Sequence, residues 1–199
     1  MNKQSLITLV FLAFFGTCIA QSTDVGITEI KVPLPKSWKN KSDLEVSKNL
    51  FKFDFEEKDL QSMLAQHNSN IPVAIYMKYD PSEYAGIIPT IQVNLRPNNT
   101  PDFDIFKAMM QQSMSQMGDY FTNFEVISPI QDILVDGIKG IMFLAKFDLT
   151  NGVDVWTIRS WTYAVPVGDY FYQINFSDTA DENCEDLYNE LLKDIEFKK

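Results

Sequence analysis

The sequence predicts an α+β fold with a mainly antiparallel sheet, and three observations carry that prediction. Strand-like segments follow one another at residues 124–134, 138–149, 153–165 and 170–176 with only short turns between them. A strong helical stripe precedes this series, and a second helix follows it near the end of the chain. Parallel strands would need long crossover connections, and turns this short join only antiparallel neighbours. The composition is that of an ordinary globular chain, 45% hydrophobic and 22% charged over 199 residues. It gives no support to a disordered, collagen-like or disulfide-rich chain.

The first residues stand outside that fold. Lys3 precedes an apolar run from Leu6 to Phe15, and Cys18-Ile19-Ala20 places small residues at −3 and −1 before Gln21. This layout reads as a secretory signal peptide over residues 1–20, cleaved between Ala20 and Gln21. The run is shorter than the roughly 20 apolar residues that span a bilayer. Lipoprotein processing at Cys18 is the alternative, but Thr17 stands where a small Gly, Ala or Ser is expected. Residues 21–199 then form one domain, exported to the periplasm or secreted, with no later stretch long enough to be a membrane span. The net charge of −10 becomes more negative once Lys3 is gone. Such a surface repels phosphate backbones, which argues against nucleic-acid binding.

Residues 27–32 alternate as a short strand, ended by Pro33-Leu34-Pro35 because proline cannot donate to a ladder. Residues 36–47 are irregular around Trp38. Phe51, Phe53 and Phe55 alternate with Lys52 and Asp54 as a strand, and residues 59–67 form a short helix. Strands follow at 73–79 and 90–96, joined by a loop at 80–89. In the second of them Ile91, Val93 and Leu95 alternate with Gln92, Asn94 and Arg96, giving one buried and one polar face. Thr100 caps the clearest helix, with Pro101 at its first position. Phe103, Phe106, Met110, Met114 and Met117 make its apolar stripe, and Gly118 ends it. Val135-Asp136-Gly137, Thr150-Asn151-Gly152 and Val167-Gly168-Asp169 are the turns of the meander. Asn-Gly tolerates positive φ at both central positions. Both faces of residues 153–165 are apolar, which places this strand centrally in the sheet. Thr179 with Glu182 three residues on reads as a capping box, opening a helix from 180 to 195. Cys184, Leu187, Tyr188, Leu191 and Ile195 form its stripe. Cys184 is the only cysteine after residue 20, so it reads as a buried, inert thiol, with an intermolecular bridge as the alternative.

The layout resembles the Mog1/PsbP-like superfamily, which includes exported bacterial DcrB-type proteins. The matching segments are Val32-Pro33-Leu34-Pro35-Lys36-Ser37-Trp38, the hairpin Ile133 to Gly140 after the middle helix, and the close through Tyr170-Phe171-Tyr172-Gln173-Ile174 to Ile195-Glu196-Phe197. The resemblance implies an α/β/α sandwich with the antiparallel sheet between helices. It implies little about function, because function lives in sites grafted on a fold. Relatives include a nuclear partner of a small GTPase, a role that export argues against. They also include an extrinsic subunit of photosystem II, whose binding residues have no match here.

Catalytic chemistry has few candidates. His67 is the only histidine, in a surface turn, and Cys184 is the only cysteine after the leader, so a structural zinc site of the usual kind cannot be built within one chain. Asp178, Asp181, Glu182, Glu185 and Asp186 read as negative charge at a helix start rather than as a calcium site. Asp102 and Asp104 belong to the start of the long helix. There is no Gly-x-Ser-x-Gly elbow, phosphate loop or dinucleotide fingerprint. The sequence therefore calls for no cofactor, no metal and no catalytic residue. Arg159, flanked by Trp156 and Trp161, has the chemistry to clamp a carboxylate or stack on a ring. Met110 and Met114 are soft enough to line a greasy site. Trp38 would line a groove or pack beneath the N-terminal loop. Asn40, Asn98 and Asn175 head Asn-x-Ser/Thr triplets, which matter only in a glycosylating host.

The leading functional expectation is an exported, non-enzymatic interaction or accessory protein of the cell envelope, partnered by another envelope protein. The second is a binding module for a small apolar ligand between the sheet and the Met-rich helix, with Arg159, Trp161, Met110 and Met114 as ligand-binding residues. The third is a hydrolase built on carboxylates.

Overall fold

A computed structural model of the chain describes residues 29–41 and 71–198. The leader, the strand at 50–55, the helix at 59–67 and His67 lie outside the described residues. The described strands are β1 (Glu29–Lys31), β2 (Lys39–Asn40), β3 (Ile71–Met77), β4 (Thr90–Pro97), β5 (Thr122–Val135), β6 (Ile138–Thr150), β7 (Val155–Val167), β8 (Tyr170–Thr179) and β9 (Glu196–Lys198). Helix α1 (Phe103–Gln116) precedes β5, and helix α2 (Glu185–Lys193) precedes β9. Seven strands form one sheet in the order β2-β3-β4-β8-β7-β6-β5, and every pairing in it is antiparallel. The fold is the α+β arrangement expected from the meander.

The two described helices sit on opposite faces. Ile91, Val93, Leu95, Trp161, Tyr163, Val165, Tyr172, Ile174 and Phe176 pack with Tyr188 and Leu191 of α2. Phe171, Ala164 and Ile141, on the other face, pack with Phe106 and Met110 of α1. Strand β7 is covered on both faces, sending Trp161, Tyr163 and Val165 to the α2 side and Ile158 and Ala164 to the other. Trp38 is buried in the α2-side core, edge-on to Tyr188 with ring centroids 6.3 Å apart. A small second sheet pairs β1 with β9, matching Ile30 to Phe197. Asp136 secures that sheet to the β5–β6 turn, because its Oδ2 accepts the Phe197 amide at 2.8 Å.

Local chemistry explains where the elements differ from expectation. Helix α1 starts two residues later than Thr100 and Pro101 suggest. Asp102 is the cap, and its carboxylate accepts from the amides of Asp104 and Ile105 at 2.9 and 3.0 Å. Thr100 Oγ1 supports it by accepting from the Asp102 amide. An Asp cap places a full negative charge at the helix N-terminus, which a Thr does not. Asp136 and Gly137 both have positive φ, 48° and 76°, so the β5–β6 hairpin closes in two residues. At the β6–β7 hairpin only Gly152 is positive, at 87°. Asn151 instead uses its side chain, whose Oδ1 accepts from the amides of Val153 and Asp154 at 3.0 and 2.7 Å. The longer connection gives an Asx turn room that a two-residue loop does not.

Gly140 marks the closest approach within the sheet. A Cβ there would lie 2.8 Å from the Ala164 carbonyl oxygen and 3.1 Å from Val165 Cγ2. The obstacle is backbone between two paired strands and has nowhere to move. Gly140→Ala is therefore expected to cost about 2 kcal/mol through overpacking, read as a lowered urea midpoint with an unchanged m-value. An unchanged midpoint would mean that β6 and β7 separate there without strain.

Candidate functional site

The sheet separates the four residues expected to bind a ligand together. Arg159 and Trp161 lie on the α2 face, while Met110 and Met114 belong to the α1 face. Arg159 does clamp a carboxylate, and that carboxylate is internal. Its Nε and Nη2 donate to Asp178 Oδ1 and Oδ2 at 2.9 Å each, and its Nη1 reaches Glu185 at 3.4 Å. The register sets this up, because Arg159 and Asp178 are directly opposed on β7 and β8. The guanidinium also sits 5.0 Å from the Trp161 ring centroid. Trp161 itself packs edge-on against Tyr188. Met110 is buried against Phe106, Ile141, Ala164 and Phe171, and Met114 is half-buried beside Phe143 and Phe147.

The capping box at Thr179 does not form. Thr179 ends β8, and α2 begins at Glu185. Glu182 is drawn elsewhere: its carboxylate accepts from Lys78 and from the Tyr79 hydroxyl, the latter at 3.0 Å, with Tyr84 at 3.4 Å. These donors hold the Glu182 carboxyl below its usual range, the Lys78 hydrogen bond first among them. The fully buried Asp178 instead holds the residue just before α2, its Oδ2 accepting the Cys184 amide at 2.7 Å, while Asn183 Oδ1 accepts the Glu185 amide at 3.0 Å. Cys184 is a buried free thiol, and burial pushes its pKa up. Among the described residues, no group of three His, Cys, Asp or Glu side chains is placed to hold a metal ion.

The α1 face holds a feature that the sequence reading passed over. On β4, β8 and β7 the side chains of this face are polar and largely uncharged: Asn94 with Arg96, Gln173 with Asn175, and Ser160 with Thr162. All but Arg96 are at least nine-tenths buried, and Asn94, Ser160 and Thr162 are each only 1% exposed. A directed hydrogen-bond chain runs across them. Arg96 Nη1 donates to Gln173 Oε1 at 2.8 Å, and Gln173 Nε2 donates to Asn175 Oδ1 at 3.4 Å. Thr162 Oγ1 donates to the same Asn175 oxygen at 3.1 Å. Burial lowers the Arg96 pKa to about 10, so it stays cationic at neutral pH. Asn94 Nδ2, Asn175 Nδ2 and Ser160 Oγ have no hydrogen-bond partner among the described residues. Buried polar groups are nearly always paired, since an unmade bond costs about 1–3 kcal/mol. Three together on one face therefore mark the strip as the candidate site. The available signal was polar residues in phase on adjacent strands; in the sequence, Gln92, Asn94 and Arg96 read as a solvent face.

No protein-family model matches the chain, and no curated protein matches it significantly in sequence. Solved structures do resemble it. The structure of LpqN, described as involved in cell envelope biogenesis of Mycobacterium tuberculosis, is similar at a TM-score of 0.50 and 13% identity, over 88% of this chain and 87% of that one. The solution structure of the cyanobacterial PsbP of Synechocystis sp. PCC 6803 is similar at a TM-score of 0.46 and 8% identity, over 90% and 98%. At such identities these are likenesses of fold alone. No helix among the described residues is long and apolar enough to cross a membrane.

Proposed function

We propose that the chain is an exported, non-enzymatic accessory protein of the cell envelope that works by binding. One observation carries this reading. The unpartnered buried groups are two amides and a hydroxyl, which recognise but do not titrate near neutral pH. Two interior carboxylates are instead tied into ion pairs: Glu182, held below its usual range by Lys78, and Asp178, raised by burial but fully enclosed against Arg159. General acid–base work needs groups poised near the working pH. The fold likeness to LpqN, described as involved in cell envelope biogenesis, agrees with the setting. Another envelope protein is the first kind of partner. A small apolar ligand is the second, and the unpaired polar groups of the buried strip call for such a ligand to carry a polar group as well.

The test is to isolate the protein from its native envelope after mild cross-linking and examine it by native mass spectrometry. A stoichiometric protein adduct or a bound small mass is the expected result. Recovery of the bare chain, together with turnover in a hydrolase screen, would overturn the proposal.

A further inference from the structure

We infer that the strip formed by Asn94, Asn175 and Ser160 is a binding site for a small amphipathic molecule whose apolar body carries an acceptor oxygen, a carbonyl or a carboxylate. This rests on the binding function proposed above and adds the chemistry of the ligand. The direction of the hydrogen-bond chain supplies the argument. Arginine has donors and no acceptor, so Gln173 must turn its oxygen toward Arg96 and its nitrogen toward Asn175. Asn175 must then present Oδ1 to both Gln173 and Thr162, and reversing its amide would set donor against donor. What remains outward is its Nδ2, a donor at the end of a chain polarised from a cation. Asn94 adds a second amide nitrogen and Ser160 a hydroxyl. The site therefore offers donors and asks for acceptors.

The register gives the shape. Asn94 faces Gln173, Asn175 faces Thr162, and Ser160 faces Ser177, so the three unpartnered groups lie on one diagonal across β4, β8 and β7. Diagonal neighbours on a sheet are about 7–8 Å apart, which makes the strip elongated. Its flanks are apolar. Ser160 and Thr162 lie opposite Ala145 and Phe143 of β6, and Gln92 lies opposite Ile75 of β3. An acceptor head with an apolar body satisfies both the strip and its margins.

The experiment titrates the purified protein with three probes that share one alkyl chain: dodecanoate, methyl dodecanoate and dodecylamine. The acceptor-headed probes are expected to bind at least about tenfold more tightly than the amine, which offers only donors. The ester separates a carbonyl from a carboxylate requirement. Ser160→Ala should weaken the preferred probe about tenfold while leaving the melting temperature of the free protein unchanged or higher. Asn94→Ala gives a second, independent reading of the same loss. Equal affinity for the three heads, no binding of any of them, or affinity unchanged in both variants would overturn the inference. So would a crystal structure grown with the preferred probe that shows ordered waters alone on the three groups. If none of the probes binds, yet the protein still leaves its envelope with a partner, the binding function stands and only this ligand class falls.

Discussion

Replacing Tyr188 with alanine is expected to lower stability by about 4 kcal/mol, the largest single-residue loss anticipated in the α2-side core. Tyr188 is 1% exposed, and three aromatic rings surround it. It stacks on Phe176 with centroids 4.8 Å apart, meets Trp161 edge-on at 5.5 Å and meets Trp38 at 6.3 Å. It thus joins α2, the central strands and the N-terminal segment in one contact. Alanine would leave a cavity walled by rigid rings, which collapse poorly. Its hydroxyl also donates to the Ser177 carbonyl at 2.7 Å. Tyr188→Phe removes the hydroxyl alone and should cost about 1 kcal/mol. Urea denaturation followed by tryptophan fluorescence measures both. A loss in the alanine variant no larger than in the phenylalanine one would mean that the aromatic contacts contribute nothing.

The second large effect concerns the Arg159–Asp178 pair. Arg159→Met keeps the stem and removes the cation, leaving a fully buried carboxylate with only the Cys184 amide to face it. Breaking a buried pair on one side typically costs about 3 kcal/mol or more. The loss should depend on pH with a definite sign. Burial already pushes the Asp178 carboxyl up while Arg159 opposes it, and removing Arg159 removes that opposition. In the variant the native pKa therefore stands above the unfolded value of about 3.9. Between the two values the native state binds more protons, so stability falls as pH rises through that window. The deficit is complete above the native pKa, shrinks as pH falls through it, and loses this contribution below about pH 4. Asp178→Asn in the Arg159→Met background should recover part of the loss at pH 7 and flatten the pH dependence. A deficit constant from pH 7 to pH 4 would show that Arg159 acts through its stem and not through its charge.

Most of the architecture was legible because it depends on local patterns. The four late strands follow from alternation and from Gly-containing turns, and α1 follows from a stripe of apolar residues repeated at 3 and 4. Both signals are short-range and do not depend on partners. The errors came where a side chain had two suitors. Glu182 matched a capping box by spacing, but Lys78, Tyr79 and Tyr84, about a hundred residues away, compete for its carboxylate and take it. Asp178 then anchors Cys184, the residue before the helix, from the end of a strand, a contact with no local signal. Arg159 was read as able to clamp a ligand's carboxylate; the β7–β8 register instead sets Asp178 of the same chain opposite it.

By itself the sequence determined the fold class, the meander and its turns, and the apolar faces of both described helices. These are consequences of backbone periodicity and turn chemistry, which act within a few residues. Tertiary structure alone decided that β8 lies between β4 and β7, so that strands far apart in sequence share one face. That placement sets Asn94, Gln173, Asn175, Thr162 and Ser160 side by side and buries them. A polar alternation looks the same in a strand whether its face meets water or protein. Only the neighbours that close over a sheet turn a solvated face into a buried donor strip.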